Sequence, residues 1–143
     1  MQNILQYIFL KIVFVSIFKY AILFSEKVVT MGNDPQSINF RRGLLPIIIL
    51  QLLQEKDMYG YQLVQETGRR SRGRIITQEG SLYPVLYRLV AGGYLSERKV
   101  PRGEKMIRVY YHLEESGREY LEKLIEEYDF ISQGMRYIIG REE

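Results

Sequence analysis

Ten arginines and lysines stand between Arg69 and Arg108 against three glutamates, a local excess of seven cations. Guanidinium and ammonium groups at this density neutralise phosphates and release their counterions. Arginine can in addition address two acceptors at once on a phosphate or a guanine edge. Further on the sign reverses, with seven acids against two bases from Glu114 to Asp129. The whole 143-residue chain carries only +3, so the information lies in the distribution. A basic segment beside an acidic one suits a polyanionic partner such as nucleic acid better than general stickiness. A solvated charged surface without a ligand is the plain alternative.

Other chemistries are thinly supplied. There is no cysteine, hence no disulfide, thiolate metal site or thiol nucleophile. The one histidine, His112, lies in the alternating run Val109-Tyr110-Tyr111-His112-Leu113 and reads as a strand residue on a half-buried face rather than a metal ligand. No glycine loop cradles a phosphate, and no spacing forces carboxylates together outside the acidic last segment. The composition therefore points away from an enzyme, and neither metal nor cofactor is expected.

The cations must be held by the elements around them. From Arg41 to Leu53 the chain is strongly apolar, a helix buried on most sides. Pro46 fits only a first turn, which places the regular start near Arg42 or later. Asp57 is positioned to cap a second helix, Tyr59–Thr67, with Gly68 as its stop. Beyond the basic loop 69–74, Ile75-Ile76 reads as a very short strand. Thr77 stands as N-cap of a third helix whose stripe is Leu82, Val85, Leu86, Leu89 and Val90, ending at Gly92-Gly93. Pro84 lies inside it, disfavoured by about 3 kcal/mol on propensity alone.

Tyr94 to Leu113 alternates with period two around the turn signal Pro101-Arg102-Gly103-Glu104, which makes a β-hairpin. Glu114 to Ile139 is then one long helix. Leu121, Leu124, Tyr128, Ile131, Met135 and Ile138 follow one another at spacings of three and four, a heptad stripe of nearly three repeats. The helix is long for the small domain before it, so the stripe is expected to pack on a second copy. Packing on its own domain is the alternative.

Three helices followed by a basic hairpin is the order of a winged helix-turn-helix. The third helix can enter a major groove while the hairpin, through Lys99, Arg102 and Lys105, adds salt-dependent grip on the neighbouring backbone. The expected fold is mainly α with a small β-hairpin wing: a winged helix-turn-helix over residues 38–113 and a C-terminal dimerisation helix over 114–143.

Specific residues sharpen this. Met58-Tyr59-Gly60-Tyr61-Gln62-Leu63, the run from Glu79 through Gly80-Ser81-Leu82-Tyr83-Pro84 to Leu89, and Gly93-Tyr94-Leu95 together resemble the signature of the PadR family of transcriptional regulators. The tract from Arg108 to Gly117 resembles the end of that family's wing, with Glu114 where the family usually has threonine. The resemblance covers about Phe40 to Leu124. It implies a homodimeric cytoplasmic regulator of transcription, typically a repressor, with double-stranded DNA as partner. It also implies that Gln78, Glu79, Ser81, Tyr83, Pro84, Tyr87 and Arg88 read DNA, with Thr77 at the helix entry. Arg88 would meet a phosphate or a guanine edge, while Tyr83 and Tyr87 either touch DNA or fill the core. Several members respond to small aromatic or drug-like effectors near the dimer interface. Tyr94, Tyr110, Tyr128 and Met135 are the residues that would line such a pocket here, and they would equally make an ordinary core.

Residues 1–30 have no counterpart in that resemblance. Ile4–Phe24 is long enough to span a bilayer, but Lys11 and Lys19 would each cost about 2.5–3.5 kcal/mol near its centre and argue against a membrane partner. No basic leader precedes the apolar run and no small-residue cleavage site follows it, against a secretory signal. Three readings stand: translation starting at Met31, a membrane-associated helix, or a packed helix. Two rival functions follow, a winged-helix adaptor that binds protein instead of DNA and a membrane-tethered regulator.

Overall fold

The structure, a computed structural model, describes residues 35–103 and 105–141. Helix α1 runs Pro35–Leu53, strand β1 Met58–Tyr59, helix α2 Gly60–Arg70 and helix α3 Glu79–Ala91. Strands β2 (Leu95–Arg102) and β3 (Met106–Leu113) follow, and helix α4, Glu115–Ile138, closes the chain. Arg41–Glu143 is one compact unit; of the other, Met1–Phe40, the described part is the first six residues of α1. The 1–30 segment and its three readings lie outside the described residues.

The core forms where the apolar faces of the helices converge on one face of the sheet. Leu45, Ile49, Leu50 and Leu53 of α1 join Leu63 of α2 and Leu82, Val85, Leu86 and Leu89 of α3, all buried. Met58, Leu95, Tyr111 and Leu113 supply the sheet side. Burial pushes the Tyr111 phenol up to about 12, with the Glu97 charge adding to the effect.

The sheet is antiparallel with strand order β1-β3-β2. Leu95 stands opposite Leu113 and Arg102 opposite Met106, so the wing is paired from base to tip. β2 continues through Pro101, where a turn was expected, because an edge strand tolerates a residue without an N–H. The turn begins at Gly103, whose φ of +67° suits glycine.

Four local expectations are corrected. The third strand is Met58–Tyr59, paired to Tyr110–Tyr111, and Ile75-Ile76 is not a strand. Instead Ser71 Oγ accepts from the Ile75 N–H at 2.9 Å and shapes that loop. Second, α2 passes Gly68 and ends at Arg70. Gly73, at φ +73°, makes the reversal, donating back to the Gly68 carbonyl at 2.8 Å. Third, Asp57 does not cap α2; the Gln62 side chain does part of that work, accepting from the Tyr59 N–H at 3.3 Å. Fourth, α1 begins well before Pro46. The carbonyl that Pro46 cannot satisfy belongs to Arg42, an exposed residue that water can reach.

The joint between α3 and α4 is tight. Tyr94 N–H donates to Leu89 O at 3.0 Å, Glu114 N–H to Tyr94 O at 3.1 Å, and Ser116 Oγ to Gly93 O at 2.8 Å. Glu114 is the N-cap of α4 without a side-chain capping bond, and these backbone ties hold the helix entry instead.

Candidate nucleic-acid interface

Helix α3 turns its buried stripe inward, and its remaining surface divides into two flanks. At about 100° per residue, Ser81, Pro84 and Arg88 form one stripe and Tyr83 and Tyr87 another, about 110° away. Each stripe borders a cleft. On the wing side an opening of about 420 Å³ is bordered by Tyr61, Tyr83 and Tyr87 from the helices and by Arg102, Met106 and Ile107 from the wing, among others. On the α1 side a smaller cleft of about 240 Å³ is lined by Arg42, Gly80, Ser81, Pro84, Val85 and Arg88. The crest between the flanks carries Gly80 and Ala91, both small, so the backbone of α3 can approach a groove closely.

The expected DNA-facing residues divide accordingly. Gln78, Glu79, Pro84, Tyr87 and Arg88 are exposed, and Thr77 and Ser81 are half-buried. Gln78 rather than Thr77 is the N-cap. Tyr83 is also half-buried: its hydroxyl would stand 2.7 Å from a Cβ at residue 60, so Gly60 is the seat on which the ring packs. Burial raises its phenol, with the Glu79 carboxylate second. Tyr87 stacks on Tyr83 with centroids 6.1 Å apart and stays 59% exposed. Of the two alternatives, Tyr83 is mostly packing and Tyr87 is open.

Not all ten cations are free to meet a ligand. Arg70 is held by Glu55 (Nη1–Oε1 2.6 Å) and by Glu66, and Arg69 by Glu66 at 2.7 Å. Hydrogen bonds from both arginines bring the Glu66 carboxyl down to about 2. Arg108 lies 3.9 Å from the Tyr59 ring centroid and Arg98 5.5 Å from that of Tyr110. Tyr59 and Tyr110 meet edge to face at 5.4 Å, so this cluster clamps the wing base to β1. Among the described residues Arg72, Arg74, Arg88, Lys99, Arg102 and Lys105 have no ion pair. Arg42 joins them at the site; in the sequence nothing set it apart from the start of the apolar helix.

His112 is on β3 as expected, but on an exposed face, its Nδ1 2.7 Å from Asp57 Oδ1. That bond ties β3 to the turn before β1. No cluster able to hold a metal occurs among the described residues.

The residues expected at a dimer interface separate along α4. Leu121 is fully buried in the core of its own chain, so its side chain is not available to a second copy. Leu124 is packed partly against that core. Tyr128, Ile131, Met135 and Ile138 are exposed, Ile138 to 80%. The four residues expected around an effector are not brought together within one chain. Tyr94 stacks on Tyr120 at 4.2 Å, Tyr110 belongs to the wing-base cluster, and Tyr128 and Met135 lie on the outer part of α4.

Comparison with known proteins follows the same outline. The model of the "Transcriptional regulator PadR-like family" matches residues 49–123. An uncharacterised protein of Lysinibacillus sphaericus is 38% identical over 91 residues, 61% of this chain and 80% of that one. The transcriptional regulator YqjI of Escherichia coli is 28% identical over 105 residues, 73% of this chain but only 49% of its own length. Among solved structures, a transcriptional regulator from Clostridium thermocellum superposes with TM-score 0.63 at 28% identity, covering 69% of this chain and 93% of that one. The PadR of Bacillus subtilis, solved in complex with operator DNA, has TM-score 0.54 at 24% identity over 57% of this chain and 47% of that one, a likeness of fold.

Proposed function

This chain belongs to the PadR-like family of transcriptional regulators, and from that membership we propose that it is a homodimeric repressor working in the cytoplasm on double-stranded DNA. Helix α3 reads the major groove and the wing grips the adjacent backbone. The observation that carries this reading is the setting of α3 between two clefts, each bordered by arginines that have no carboxylate partner among the described residues, or only an aromatic one. The operator complex of the Bacillus subtilis relative supports the same use of the fold.

The exposed part of the α4 stripe, from Tyr128 to Ile138, supports the dimer: these side chains would gain burial against another chain. Two such helices would also bring Tyr128 and Met135 of both copies together. A small aromatic or drug-like effector that releases DNA would lodge there. Among the described residues no helix is long and apolar enough to cross a membrane.

The test is a titration of the full chain against the DNA upstream of its own gene and against random duplex, at 50 and 200 mM salt. Tight binding that prefers the upstream duplex and weakens steeply with salt supports the regulator. Absence of duplex binding even at low salt, together with a protein partner that survives high salt, would replace it with the adaptor reading.

A further inference from the structure

Arg42 and Arg88 border one small cleft and none of its six lining residues is acidic. Both side chains belong to exposed residues, and neither has an ion pair among the described residues. Two guanidinium groups sharing a concavity with no counter-charge repel each other, a cost that an anion between them removes. Ser81 adds a hydroxyl, and a Cβ at Gly80 would meet nothing within 4 Å, so the floor of the cleft is open to an approaching group.

The position says which anion. A helix lying in a major groove has a phosphate strand along each side. On the wing flank of α3, Arg102 and Arg108 border the cleft. On the other flank the wing contributes nothing to the lining, and the cations come from Arg88 of α3 and Arg42 of α1. We propose that Arg42, Ser81 and Arg88 form a seat for one DNA phosphodiester on the α1 flank of α3. Arg42 is then a DNA-contacting residue supplied by the first helix, and Arg88 grips the backbone rather than a base edge. This rests on the DNA-binding reading above and adds the second rail that a helix in a groove requires.

The experiment uses the full chain and a fluorescein-labelled random 25-bp duplex, with anisotropy titrations from 50 to 300 mM KCl. Removing one phosphate contact makes the slope of log K against log salt shallower by about 0.9. Arg42→Gln and Arg88→Gln are each expected to show that change and a several-fold loss of affinity at 100 mM. Arg42→Lys should restore most of it, and Lys123→Gln in the acidic part of α4 should behave as wild type. The loss from Arg88→Gln should be the same on every duplex sequence. Wild-type slope and affinity in Arg42→Gln, with an unchanged melting temperature, would overturn the seat. A loss from Arg88→Gln confined to duplexes containing one particular base pair would overturn the backbone role. If the wild type itself shows no salt-dependent duplex binding, the DNA reading fails and the seat with it; a steep wild-type slope that Arg42→Gln leaves intact removes the seat alone.

Discussion

Gly117, in the first turn of α4, lies directly against the backbone carbonyl of Tyr94. A Cβ at residue 117 would overlap that oxygen and stand 2.6 Å from Leu113 Cδ1. The same carbonyl accepts from the Glu114 N–H, so the contact fixes where α4 leaves the winged domain. Gly117→Ala must push backbone from backbone, with an expected loss of about 1–3 kcal/mol. Gly43→Ala in α1, where an added Cβ meets nothing within 4 Å, should instead gain roughly 0.5–1 kcal/mol. Thermal melts of the two variants beside wild type check the opposite signs.

The α4 stripe predicts two different failures. Leu121→Ala empties a fully buried site and should cost the fold about 2–5 kcal/mol. Ile131→Glu, at a residue 55% exposed, should leave the secondary structure intact and turn a dimer into a monomer. Sedimentation equilibrium reads the second and denaturant unfolding the first. A dimer that survives Ile131→Glu would move the interface elsewhere.

On the acid side, Glu66 is held down at about 2 by its hydrogen bonds to Arg69 and Arg70. Its folded value lies below its unfolded one, so the unfolded chain takes up the proton first. The contribution to stability is complete above about 4.5 and is lost as pH falls toward 2. Melting temperatures of wild type and Glu66→Gln should therefore differ at pH 6 and converge near pH 2. The pair is exposed, so the difference should be small and should shrink further in 0.5 M salt.

On the alkaline side the sign is opposite. Tyr111 ionises only at about 12 in the folded chain, whereas an exposed phenol does so near 10. Its contribution is fully present below 10 and disappears as pH rises through 12. Ultraviolet titration should show a phenolate appearing only near 12 that is absent in Tyr111→Phe.

At the wing, Arg102→Ala and Lys105→Ala should each make the salt slope of DNA binding shallower by about 0.9. The ranking of duplexes should not change, since backbone contacts position the protein without reading sequence. A reordering of preferred duplexes by either variant would assign that residue to base contact.

The helices that carry function were legible because their signals are long. α3 and α4 fall within a residue or two of the boundaries that Thr77, Gly92-Gly93 and the heptad stripe suggested. β1 was hidden because two residues cannot display an alternation, and Met58-Tyr59 stands where a helix entry was equally plausible. Pro46 misled because a local rule met a helix whose C-terminal half is gripped by the core on most sides, leaving only Arg42 unsatisfied. Arg42 itself could not be found: its importance comes from α1 lying beside α3, a proximity that no spacing along the chain encodes. The pairing of Arg70 with Glu55 was invisible for the same reason, and the pairs of Glu66 with Arg69 and Arg70, three and four residues on, were missed because α2 was expected to stop at Gly68, so a count of cations overstated the charge open to a ligand.

Among the described residues the outer edge of β2 has no strand beyond it. The backbone groups along its eight residues that point away from β3 would ordinarily invite a neighbouring molecule to add itself to the sheet and so begin a fibril. Arg98, Lys99, Pro101 and Arg102 make that edge inhospitable by charge and by a missing donor. Lys99 and Arg102, proposed above to grip DNA, would thus also keep protein from protein. A lineage that dispensed with DNA binding could not neutralise its wing freely, because each cation removed for lack of a ligand would bring the bare edge closer to aggregation.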